Sequence, residues 1–132
     1  MRVVLDSNVI VAAYATHGLC HQLFELCLIG HTLLISQHIL DEVSDKLQHK
    51  IKVPPKTIKE ILLFLKKNAL LEVPVALNAD ICRDSDDMKV LGLAVAGRSD
   101  CLVSGDQDLL VLRQVEGIPI LSPRDFYNRL QQ

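Results

Sequence analysis

The chain has 132 residues, 49% of them hydrophobic and 23% charged. That length suits one domain, residues 1–132, able to bury roughly two-thirds of its unfolded surface, and the composition excludes disorder and low complexity. Two Tyr, three Phe and no Trp disfavour a nucleic-acid binder built on base stacking, and a net charge of −2 excludes a simple basic DNA-coating protein.

No stretch approaches the ~18 uninterrupted apolar residues of a membrane helix. The first apolar run, from Val3 to Leu5, is broken by Asp6 and does not read as a secretory signal. Cys20, Cys27, Cys82 and Cys101 have apolar neighbours and no CxxC spacing. They read as reduced core thiols of a cytoplasmic protein. His17 and His21 share an i,i+4 spacing without a third soft ligand, so they read as ordinary helix-surface or capping residues.

In chain order, Arg2 to Asp6 reads as a strand covered on both faces, because its apolar run does not alternate. Asn8 to Ala15 and Leu19 to Ile29 follow as helices, the second with Leu19, Leu23, Leu26 and Cys27 on one stripe. Leu23, Phe24 and Leu28 suit either a self-association face or core. His31 to Ile35 is a second strand. Ser36 caps a helix whose stripe is Ile39, Leu40, Val43 and Leu47. Beyond Pro54-Pro55, Ile58, Ile61, Leu62 and Leu65 mark another helix, and Leu70 to Val75 reads as a peripheral strand containing Pro74. Asp84-Ser-Asp-Asp87 opens a helix to about Ala96. Cys101 to Ser104 is a strand, Asp108 to Gln114 a short helix, and Ile118 to Leu121 a fifth strand. Ser122-Pro123 begins a last helix. This alternation predicts a three-layer α/β/α sandwich with a central, mostly parallel sheet of four to five strands.

In such sheets ligands bind beyond the carboxyl ends of the strands. Two apolar strands here end in carboxylates, at Asp6 and Asp106. Asp87 opens the helix that feeds the second of these strands, and Glu42 flanks the stripe of the helix after strand two. Carboxylates gathered at one edge raise one another's pKa unless a cation neutralises them. Hard oxygen donors suit Mg²⁺ or Mn²⁺, which can activate a water against a phosphoryl centre. Taken singly, each Asp is equally well a cap or a turn residue. The convergence of two strand ends is not required by capping.

The blocks Val3-Val-Leu-Asp6-Ser-Asn8-Val, Ser36-Gln-His-Ile-Leu-Asp-Glu42-Val, Arg83-Asp-Ser-Asp-Asp87-Met-Lys-Val-Leu91 and Asp100-Cys-Leu-Val-Ser-Gly-Asp106-Gln-Asp-Leu-Leu110 occur in that order over essentially the whole chain. Together they resemble the PIN-domain family, especially its prokaryotic toxin branch from toxin–antitoxin systems. The resemblance implies a metal-dependent endoribonuclease using Mg²⁺ or Mn²⁺, with the acidic positions at Asp6, Glu42, Asp87 and Asp106. Asp87 fits the third position better than Asp86, because Val90, Leu91 and Ala94 then follow on one face. Asp86 remains a candidate ligand, and Asp108 is either an outer ligand or a cap. Ser7 and Ser104 flank the site and suit the orienting of a carboxylate or water. Many relatives carry Pro where this chain has Ser85, a difference in loop stiffness rather than in ligand chemistry. The resemblance also implies a cognate antitoxin and a homodimer or higher oligomer; no membrane association is expected, from the lack of a long apolar run.

Residues 46–67 hold seven lysines against Glu60 alone, a net of +6, while the remainder carries seven basic and fifteen acidic residues, a net of −8. Lys46, Lys50, Lys52, Lys56 and Lys59 read as an RNA-phosphate arm beside the acidic site; Lys66 and Lys67 end the run. Two alternatives share the α/β order. A phosphoacceptor receiver-like regulatory domain would want a Lys after the last strand, and Ile118 to Arg124 supplies none. A catalytically silent PIN scaffold would not need all four acidic positions filled.

Overall fold

The computed structural model describes residues 1–132. Its elements are β1 (Arg2–Leu5), α1 (Ser7–Ala15), α2 (Leu19–Gly30), β2 (Thr32–Ile35), α3 (Gln37–His49), α4 (Pro55–Asn68), β3 (Leu70–Leu71), α5 (Ser85–Ala96), β4 (Cys101–Val103), α6 (Gln107–Leu110), β5 (Gln114–Val115), β6 (Ile118–Leu121) and α7 (Pro123–Leu130). They build one sheet in the order β3-β2-β1-β4-β6-β5. Every pairing is parallel except β5 with β6.

β1 lies between β2 and β4, and Val3, Val4 and Leu5 are each 0% exposed. Successive strand residues face opposite sides, so helices must cover both faces of the sheet. This is the predicted α/β/α sandwich, with six strands rather than four or five. The extra strand comes from a hairpin where the sequence predicts helix. The helix expected over Asp108 to Gln114 ends at Leu110, and Gln114–Val115 pairs with β6 instead. Glu116 and Gly117, with φ of 47° and 82°, form the two-residue turn. Positive φ at both central positions is what a tight hairpin needs, and Gly supplies it without strain.

The strand expected over Leu70 to Val75 is also shorter. It pairs with β2 at Leu70 and Leu71, and Glu72 adds one bond to the Ile35 carbonyl at 2.9 Å. Pro74 has no N–H to continue the ladder. Val75 N donates instead to the Gly92 carbonyl at 3.2 Å, bringing this segment onto α5. Gly92 is required there, because a Cβ would run into the Val75 carbonyl oxygen.

Leu23, Phe24 and Cys27 are the buried face of α2. Leu26, expected on that stripe, is 38% exposed. Leu23 and Phe24 are therefore core rather than a self-association face, and Phe24 packs against Tyr14 with ring centroids 5.4 Å apart. All four cysteines are free thiols, and burial pushes Cys27 up to about 12 and Cys101 up to about 11. No helix is long and apolar enough to cross a membrane.

Candidate functional site

The register of β1 and β4 sets the site. Leu5 lies opposite Val103, so the two strands end together at one edge of the sheet. Asp6 follows β1 and Ser104 follows β4. Asp6 caps α1 and also lines the cleft at this edge, so the cap reading and a place at the strand end are not exclusive. One carboxylate oxygen accepts from Ser7 N–H at 2.7 Å, and the other accepts from the Ser104 hydroxyl at 2.8 Å. Ser104 Oγ in turn accepts from Asp106 N–H at 3.0 Å. One buried hydroxyl thus ties together the backbone and the carboxylate of two separate strand ends.

Capping sorts the acidic run at the start of α5. Asp84 is the cap, accepting from Asp86 N–H at 2.7 Å and from Asp87 N–H at 3.1 Å. The carboxylates of Asp86 and Asp87 are left to face a cleft of about 150 Å³, lined also by Asp6, Ser7, Asn8, Glu42, Lys46 and Asp106. Asp87 is pushed up to about 6, first by burial and then by the charges of Asp106, Asp84, Asp6 and Asp108. Burial accounts for the largest part of that rise, and the remainder reflects the negative charge of the four neighbouring carboxylates. The donors at Asp6, Asp87 and Asp106 are all carboxylate oxygens, a hard set that fits Mg²⁺ or Mn²⁺.

A family sequence model for the PIN domain matches residues 2–108. The chain belongs to the PIN-domain family. The chain also resembles VapBC2 from Rickettsia felis, solved bound to a DNA fragment from its promoter. The TM-score is 0.60 at 18% identity, covering 92% of this chain and 98% of that one. At that identity the likeness is one of fold. An uncharacterized protein of Methanocaldococcus jannaschii is 26% identical over 123 residues, covering 86% of this chain and 76% of its own length.

In this PIN domain the four acidic positions inferred from sequence, Asp6, Glu42, Asp87 and Asp106, line one cleft, and so does Asp86. Asp108 does not. It lines a neighbouring, larger cleft of about 670 Å³ with Cys82, Arg83, Asp84 and Asp87. The side chain that caps α6 is that of Asp106, which accepts from Asp108 N–H at 2.9 Å. Lys46 departs from the exposed lysine arm. It is half-buried and donates to Ser7 Oγ at 2.7 Å, the one cation lining the acidic cleft. Lys50, Lys52, Lys56 and Lys59 are exposed, running from the end of α3 into α4.

Two residues of this region carry no mark of the site in the sequence reading. Asn8 lines the cleft from the first turn of α1. His38 stands against Glu42, with Nε2 3.4 Å from its carboxylate. The i,i+4 spacing of His38 and Glu42 is the available signal, since such residues share a helix face.

Proposed function

We propose that residues 1–132 form one PIN nuclease domain acting as a metal-dependent endoribonuclease, the toxin component of a toxin–antitoxin system. The observation that carries this reading is the shared cleft of Asp6, Glu42, Asp87 and Asp106 at the carboxyl edge of a parallel sheet, with Asp87 lifted to about 6. Asp6, Asp87 and Asp106 are the residues that would hold the ion, with Glu42 beside them. A bound Mg²⁺ or Mn²⁺ supplies neutralising charge and a nucleophilic water for phosphodiester hydrolysis.

The chain's own contribution is positioning. Asp6 is held at both oxygens, so its orientation does not depend on a bound cation. Ser104 keeps the β4 end in register with the β1 end. Lys46, released from Ser7, can place its ammonium on a phosphate oxygen at the rim. Lys50, Lys52, Lys56 and Lys59 offer further phosphate contacts that hold the strand without reading its sequence. With few aromatics, base preference falls to hydrogen bonding and RNA shape.

The antitoxin reading draws support from the fold shared with a solved VapBC2 and from an apolar groove of about 400 Å³. Tyr14, Phe24, Leu28, Ile61 and Phe64 line this groove between α1, α2 and α4. A cytoplasmic location and self-association complete the reading.

The test is cleavage of an RNA pool with Mg²⁺ or Mn²⁺, with the ends mapped. Cleavage stops in EDTA and leaves 5′-phosphate and 3′-hydroxyl ends, because the ribose hydroxyl is not the nucleophile. Asp6→Asn abolishes cleavage and leaves the fold intact, Asn being as good an N-cap as Asp. Full activity in that variant removes the assignment, and metal binding without cleavage by the wild type marks a silent scaffold.

A further inference from the structure

Beside the all-carboxylate set stands a second group of a different chemical kind. His38 lies near the start of α3, one turn before Glu42, and α5 brings Asp86 against both. His38 Nε2 is 3.4 Å from Glu42 Oε1 and 3.5 Å from Asp86 Oδ1. The ligand atoms of the three residues lie within 4.8 Å of one another. Nε2 is buried and has no hydrogen-bond partner, although two carboxylates face it. Both carboxylates are beyond good hydrogen-bond range, and a buried ring nitrogen left without a partner is rare in a native fold. A cation bound by all three groups gives that nitrogen a partner. With metal–ligand bonds of roughly 2.1 Å, adjacent ligands stand roughly 3.0 to 3.4 Å apart in octahedral or tetrahedral sites, close to the 3.4 and 3.5 Å that separate His38 Nε2 from the two carboxylates.

We propose that His38, Glu42 and Asp86 form a second cation site, selective for a first-row transition ion such as Mn²⁺ or Zn²⁺ over Mg²⁺. The selectivity follows from the imidazole nitrogen, a donor that Mg²⁺ takes poorly and transition ions take well. Two carboxylates and one neutral imidazole leave a double negative charge for a divalent ion to offset. Asp86 and Asp87 are neighbours on α5 and point about 100° apart, so Asp86 comes to 3.5 Å from His38 Nε2 while both aspartates still line the acidic cleft. The charged neighbours of Asp87 are Asp106, Asp84, Asp6 and Asp108, and none of these belongs to the His38 group. Glu42 stands between the sets. The site goes beyond the nuclease reading and does not require it.

The test uses the full chain without RNA. Mn²⁺ is added in the presence of excess Mg²⁺, and binding is followed by calorimetry and pulsed electron paramagnetic resonance. One Mn²⁺ is retained, with an imidazole nitrogen in its coordination shell. His38→Gln removes the nitrogen signal and weakens Mn²⁺ binding by roughly tenfold or more, the loss known even for residues that only support a ligand. Asp86→Asn weakens Mn²⁺ binding and keeps the nitrogen signal. The Asp86 side chain is 59% exposed and the capping bond to Asp84 uses its backbone, so this second variant keeps the fold. Mn²⁺ bound without nitrogen, or bound equally well by either variant, overturns the site. A chain that shows the nitrogen signal but cleaves no RNA refutes the nuclease reading and leaves this site standing.

Discussion

Replacing Asp87 with Asn should stabilise the metal-free protein and destabilise the metal-bound one. Asp87 is raised from 3.8 to about 6 by burial and by Asp106, Asp84, Asp6 and Asp108. A gap of that size, at about 1.4 kcal/mol per pH unit, sets a ceiling of about 3 kcal/mol for keeping this carboxylate ionised in the folded state. Solvent reaches Asp87 from the cleft, and screening lowers the expected gain to about 1 kcal/mol. The sign follows from proton uptake. Between pH 6 and 3.8 the folded protein binds the proton and the unfolded chain does not. Stability from this group is therefore complete below about 3.8 and lost as pH rises through about 6. The assay is urea unfolding of wild type and Asp87→Asn in EDTA. At pH 7.5 the variant is the more stable by about 1 kcal/mol, a melting shift of about 4 °C, and the difference fades toward pH 4. In Mg²⁺ or Mn²⁺ at 100 times its Kd the wild type gains about 2.7 kcal/mol, and the order of stability reverses. A variant less stable than wild type in EDTA at pH 7.5 would mean that Lys46 already neutralises the cleft, and the case for a bound cation would fail.

Ser104→Ala removes the hydroxyl that donates to Asp6 and accepts from Asp106 N–H. Chemical denaturation should show a loss of about 1 to 3 kcal/mol, and metal affinity measured by calorimetry should fall about 10- to 100-fold. Unchanged affinity would show that Ser104 does not orient a ligand. Gly92→Ala drives a methyl group into the Val75 carbonyl and should lower stability by about 1 to 3 kcal/mol in thermal unfolding. A neutral result there would mean that the segment before α5 moves freely. Changing Lys50, Lys52, Lys56 and Lys59 together to Gln should weaken RNA binding alike for different sequences. It should also reduce the salt dependence of log affinity by about 0.7 for each phosphate that is no longer neutralised. Binding that keeps its salt slope would move the RNA path elsewhere on the surface.

Much of the site is legible because strand ends and helix starts are local signals. Val3-Val-Leu before Asp6 and Cys101-Leu-Val before Ser104 announce buried strands, and parallel pairing brings their ends together. The helical phase of Val90, Leu91 and Ala94 singles out Asp87 from Asp86. The apolar order of elements likewise carries the sandwich architecture. The hairpin of β5 and β6 is written as plainly, in Glu116-Gly117 between two short apolar runs, yet a helix running on from Asp108 competes for Gln114. Pairing with β6 decides that competition, and pairing is not a local property.

What the sequence by itself determined was which residues end strands, cap helices and face inward, because these depend on near neighbours and on periodicity. What only the tertiary structure decided was which side chain each carboxylate meets. Asp6 meets Ser104 98 positions away, Lys46 turns from the lysine arm into the acidic cleft, and His38 meets Asp86 across two helices. Those pairings follow from strand register and helix packing. Both are settled by the burial of the whole core, so no short stretch of sequence records them.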